Sequence, residues 1–179
     1  MKLNRHILFS LLLCFIFPLM SNADQLEDAK AAITNNNFIE AHKLLTPLAE
    51  ENNVEAQTLL GALYVNGQGV EKDFEKGLSL IMKAANQGFK VARVMALKLH
   101  IDLAIEGDTT AMYNVGYMCL NGWGGEHNVR SCLRWLENAA KGGHEKSAEI
   151  LSRIYTKGMF GVTPDEGKAT YWSKRAKTK

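Results

Sequence analysis

Two cysteines and four histidines are the side chains beyond the N-terminal stretch that could support covalent, redox or metal chemistry. A zinc site needs ligands at helical or knuckle spacing. His42, His100, His127 and His144 form neither H-x-x-x-H nor H-E-x-x-H, so no metal is expected. Cys119 and Cys132 lack the C-x-x-C spacing of a redox pair. No G-x-S-x-G elbow, Walker loop or dinucleotide fingerprint is present, and Gly67-Gln68-Gly69 reads as a turn. No nucleophile stands beside a base in any such pattern. The chain is therefore expected to be non-catalytic and without a cofactor. Two readings of the cysteines remain: a disulfide, or two buried thiols acting as small hydrophobes.

The N-terminus bears on that choice. Lys2 and Arg5 precede an apolar run from Ile7 to Met20, broken by Ser10 and Pro18, and Ser21-Asn22-Ala23 follows. This is the layout of a secretory signal, with cleavage between Ala23 and Asp24. The run is shorter than the roughly 20 residues that span a bilayer. A lipoprotein reading of Cys14 is disfavoured by bulky Leu13 before it and Phe15-Ile16-Phe17 after it. Removing residues 1–23 takes two basic residues from the chain's 21, leaving 19 against 19 acidic. A neutral mature chain has no global electrostatic reason to bind nucleic acid or an anionic membrane. No second apolar segment is long enough for membrane insertion. A periplasmic or secreted protein is expected, in a compartment that permits disulfides.

The elements that must position these side chains repeat. Ala56, Gly61, Tyr64, Gly67, Asp73, Gly77 and Leu80 recur as Ala111, Gly116, Cys119, Gly122, Asn128, Cys132 and Trp135. They recur again as Ser147, Ser152, Tyr155, Gly158, Asp165, Ala169 and Trp172. The junction Ala84-Ala85-Asn86-Gln87-Gly88 returns as Ala139-Ala140-Lys141-Gly142-Gly143. Apolar residues three and four apart predict buried helical stripes. Small residues let helix backbones approach, and the glycine pairs allow sharp loops. Asp73, Asn128 and Asp165 stand where a second helix needs an N-cap. Gly88, Gly107 and Gly143 stand where a helix must end. Each unit reads as helix, glycine loop, helix, and buries its apolar face only by stacking on neighbours.

These residues resemble the Sel-one-like repeat (SLR) family, relatives of the tetratricopeptide repeat. Residues 55–88 follow its pattern closely. Residues 110–143 replace its Tyr with Cys119 and its Gly-Val turn with Trp123-Gly124-Gly125. Residues 146–177 carry one extra loop residue within Met159-Phe160-Gly161-Val162. The resemblance implies an all-α protein: a right-handed α-solenoid of stacked hairpins, about nine helices after signal removal. Residues 24–53 read as a cap hairpin, with 25–35 as its first helix, and 54–89, 108–144 and 145–179 as repeats. Ala92 and Ala111 are only 19 residues apart, against 36 from Ala56 to Ala92. Residues 90–107 therefore form a truncated unit whose residues 90–106 read as one helix. An odd helix reverses the chain's direction.

In such a unit Cys119 lies late in the first helix and Cys132 early in the second, at facing stations. A disulfide is the favoured reading. His42 is expected at the surface of the cap, and His100 in the core. Trp123 is expected to pack on its own repeat. The basic run Lys168, Lys174, Arg175, Lys177 and Lys179 reads more readily as complementing a helix C-terminus than as a patch for an acidic partner.

The family's first helices line a concave face. The resemblance thus assigns partner binding to Thr58, Tyr113, Tyr117, Glu149 and Arg153, with paired tyrosines and an arginine as the strongest elements. Residues 90–106 could instead cover the tyrosines. The resemblance implies a scaffold or regulator in a bacterial envelope, monomeric, binding a protein or peptide. The alternatives are an inhibitor or immunity protein for an envelope enzyme, or a weak β-lactam-binding hydrolase like some cysteine-rich relatives.

Overall fold

Side-chain caps and glycine stops cut the chain into helices at the positions the repeat demands. A computed structural model describes residues 21–125 and 128–177. The hydrophobic segment of the signal and His127 lie outside the described residues. The described elements are α1 (Asn22–Thr34), α2 (Phe38–Glu50), α3 (Val54–Asn66), α4 (Phe74–Asn86), α5 (Lys90–Ile105), α6 (Thr109–Leu120), α7 (Val129–Lys141), α8 (Glu145–Lys157), a single 3₁₀ turn (Met159–Gly161) and α9 (Glu166–Ala176). No strand occurs among the described residues. The fold is an α-solenoid of stacked hairpins.

Asp73, Asn128 and Asp165 cap α4, α7 and α9 by accepting from the amides of Lys76, Ser131 and Lys168. Asn53, Asp108 and His144 cap α3, α6 and α8 in the same way. α5 has no such bond, because Phe89 holds its N-cap position. α1 begins at Asn22, earlier than residue 25, because Ser21 caps it and accepts from the Asp24 amide at 3.2 Å.

Within each repeat the two helices cross at small residues. A Cβ added to Gly61 would stand 2.7 Å from the Gly77 carbonyl oxygen, and one on Gly77 2.6 Å from the Gly61 oxygen. In the last repeat the matching station is a hydrogen bond, from Ser152 Oγ to the Ala169 carbonyl at 2.9 Å. In the middle repeat Gly116 faces Leu136 and the Cys132 carbonyl. One turn beyond, Cys119 and Cys132 are joined as a disulfide, with Cα atoms 5.4 Å apart.

α5 stands alone where the other units have two helices. Its N-terminal half packs on α4 through Ala92, Ala96, Ala84 and Ala85. Its C-terminal half packs on α6 through Ala104, Ala111 and Val115. Buried His100 sits between, its Nδ1 2.9 Å from the Ala96 carbonyl. One helix thus does the work of a second helix toward α6 and of a first helix toward α4. The two registers of residues 90–106 reflect these two contacts. Short links make consecutive helices run antiparallel. The loop after α6 accordingly returns to the start of α5, where Arg93 lies 5.4 Å from the Trp123 ring. Trp123 therefore packs on the preceding α4–α5 cluster rather than on its own repeat.

Candidate partner-binding face

Helix geometry places Tyr113 and Tyr117 one turn apart on α6, and their rings stack with centroids 6.1 Å apart. Tyr113 continues the stack onto His144 at 4.5 Å. His144 caps α8, its Nδ1 3.3 Å from the Ser147 amide and 3.0 Å from Ser147 Oγ. An accepting Nδ1 leaves any ring proton on Nε2. Burial, aided by the Lys146 charge, lowers the imidazole's pKa against a smaller opposing pull from Asp108. Burial, and then Tyr117, raise the pKa of the Tyr113 phenol. Both groups favour their neutral forms. The ladder fixes the tyrosines of α6 against the first turn of α8.

At its open end Tyr117 is 49% exposed. α5 meets α6 through Ala111, Met112 and Val115, and so leaves Tyr117 uncovered. Tyr117 and Arg153 line the same cleft of about 150 Å³ between α6 and α8, with Leu120, Ile150, Met159 and Phe160 among its walls. Arg153 supplies the one charged side chain of that lining. No ion pair holds it among the described residues. Glu149 lies one turn earlier on α8, exposed and outside the cleft. The Cys119–Cys132 bond ties the last turn of α6, which carries Leu120, to α7.

Thr58 does not join this face. It is buried on α3, and its hydroxyl donates to the Val54 carbonyl at 2.7 Å. It occupies the repeat position of Tyr113. A short side chain there folds back onto its own helix, where a tyrosine projects. Ala62 likewise holds the position of Tyr117 and Arg153. His42 also departs from the expected surface role. It is half-buried, its Nε2 2.9 Å from Tyr64 Oη.

Met159 and Phe160 were not singled out by the repeat pattern as binding residues. Their signal was the extra residue in the last glycine loop. That insertion places Phe160 at φ 56° between two positive-φ glycines, 42% exposed over the cleft. A non-glycine residue in this region is held there against a conformational cost. The basic C-terminal run is partly used internally. Arg175 donates to the carbonyls of Ala140 and Lys141 at the end of α7, at 3.2 and 3.0 Å. Lys168 pairs with Asp165 at 3.4 Å.

The Sel1 repeat family model matches residues 54–89, 109–144 and 146–179. The chain belongs to the Sel1-repeat family. Among solved structures it is similar to a Sel1 repeat protein from Oxalobacter formigenes, at 24% identity and TM-score 0.46, covering 88% of this chain and 71% of that one. It is similar to a protective antigen of uropathogenic Escherichia coli displaying an SLR fold, at 20% identity and TM-score 0.44, covering 87% of this chain. This chain spans 38% of that antigen's length. An immunity protein from Pseudomonas aeruginosa matches at 19% identity and TM-score 0.32, covering 83% of this chain and 81% of that one. Sel1 repeats form scaffolds, typically for protein interaction. No helix among the described residues is long and apolar enough to cross a membrane.

Proposed function

We propose that this chain is a non-catalytic scaffold or regulator of the bacterial envelope that holds a protein or peptide against α6 and α8. The observation that carries the reading is the convergence of Tyr117, Arg153 and Phe160 on one mostly apolar cleft. Aromatics and arginine dominate the energetics of protein interfaces. Such a cleft suits an apolar or aromatic side chain followed closely by a carboxylate. Glu149, beside it on α8, selects against a partner that is acidic throughout. The Tyr113–His144 stack pre-orders the face, which lowers the entropy lost on binding.

Export fits the sequence reading of residues 1–23, with the mature chain starting at Asp24. Cleavage there removes Ser21 and Asn22, and with them the N-cap of α1. Asp24 and Asp28 remain in the new first turns, with the favourable sign for a helix N-terminus. Intact mass of the exported protein reads this directly.

The test is recovery of a partner from envelope extract by wild-type protein, Tyr117→Ala, Arg153→Ala and Tyr171→Ala. Tyr171 is exposed on α9, outside the cleft, and serves as the control. A partner kept by wild type and the control but lost by the first two variants supports the face. Equal recovery by all four overturns it.

A further inference from the structure

α5 carries a second surface that the partner-binding face does not use. Val91, Val94 and Ile105 are 57%, 51% and 73% exposed. At 100° per residue they share one face with Lys98 and Asp102, both exposed. α5 packs on α4 through Ala92 and Ala96 and on α6 through Ala104, and this face is covered by neither.

The charges on α5 are inverted relative to its dipole. Its first turn holds no acid and its last turn no base. Lys90 opens the helix, Lys98 lies just past its midpoint, and Asp102 and Glu106 follow toward the C-terminus. Helix dipoles favour the opposite order. α2, α3, α4, α8 and α9 each place a glutamate in the first turn. The N-terminus of α5 also lacks a side-chain cap. Among the described residues, none of these four charges has an ion-pair partner.

We infer that α5 pairs antiparallel with α5 of a second copy of this chain. Antiparallel pairing centred on residue 100 sets Lys98 of each copy against Asp102 of the other, twice over by symmetry. Val94 of one copy then meets Ile105 of the other. The pattern is self-complementary, which is why a copy of the chain is the occupant chosen over a foreign helix. With Lys98 opposite Asp102 the two helices overlap over residues 95–105, about 16 Å at 1.5 Å per residue, a contact that makes a weak, reversible dimer. The sequence reading, by contrast, expects a monomer.

The experiment is sedimentation equilibrium of the mature chain, comparing wild type with Val94→Ser, Lys98→Glu and Asp102→Lys. All three positions are exposed, and thermal melts verify folding. The wild type should dimerise with rising concentration, less strongly at high salt. Each single charge reversal creates two like-charge contacts per dimer and should weaken association about tenfold. Mixing Lys98→Glu protein with Asp102→Lys protein should restore it, because every 98–102 contact between the two is again opposite in sign. A wild type that stays monomeric at its highest soluble concentration overturns the proposal. So does a dimer unaffected by Val94→Ser, or a mixture that associates no better than the separate variants.

Discussion

Tyr113 stacks on His144 across the junction between the middle and last repeats, ring to ring at 4.5 Å. The same imidazole caps α8. One side chain therefore couples the proposed binding face to the stability of the helix that completes it.

That coupling has a pH dependence. The folded pKa of His144 lies below its ordinary value because of burial and Lys146, and His42 is lowered by burial and Lys76. Below the ordinary histidine value, near 6.5, the unfolded chain takes up protons first. The histidines' contribution is fully present above that value and is lost as pH falls toward the folded values. Melting temperature should fall between pH 7.5 and pH 5. His144→Asn keeps a side-chain cap and should flatten this slope. An unchanged slope would remove His144 from the account.

The glycine crossing sets a second expectation. A methyl at position 77 would meet the Gly61 carbonyl and the Val65 amide, both backbone. Neither can turn aside, so α3 and α4 must separate. Gly77→Ala should cost about 3 kcal/mol, at the upper end for overpacking. Gly107→Ala meets nothing within 4 Å and pays only for φ of 101°, about 1–2 kcal/mol. Urea unfolding of the two variants should rank them in this order.

The Cys119–Cys132 bond closes a loop with a sequence separation of 13. Its removal should cost about 3 kcal/mol on the loop-entropy scale. Protein purified from an oxidising compartment should show no free thiol until reduced and unfolded. Reduction should then lower the melting temperature, and Cys132→Ser should reproduce the loss. Two titratable thiols in the purified protein would contradict the bond.

Phe160 separates stability from binding. Asparagine tolerates a left-handed backbone better than phenylalanine does. Phe160→Asn should leave stability within about 1 kcal/mol of wild type, or raise it. Partner affinity should fall at least tenfold, through loss of the ring over the cleft. A variant that binds as wild type does would show that the ring lies outside the interface.

The repeat frame was readable because its signals are local. Asp73, Asn128 and Asp165 cap helices within three residues of themselves. Gly67 and Gly158 stop helices where they stand. The geometry of the proposed face was only half readable. Tyr117 and Arg153 occupy equivalent repeat positions, and the resemblance assigned both to the binding face. Thr58 shares the register of Tyr113, yet its burial depends on side-chain length and a back-bond to Val54. His42 was misplaced because its partner, Tyr64, is 22 residues away in another hairpin. The place of Phe160 over the cleft was not readable, because a left-handed aromatic is an outcome of the loop's closure, and an inserted residue announces only that something differs.

The lone α5 gives the stack a parity. Removing a whole hairpin would leave every later loop at its present end of the rod. Removing or adding one helix would send all later loops to the opposite end. The Gly67 loop emerges at the end away from the start of α5, and the Trp123 loop at the end beside it. Variation in this molecule by single helices is therefore a change of polarity, whereas variation by hairpins is only a change of length.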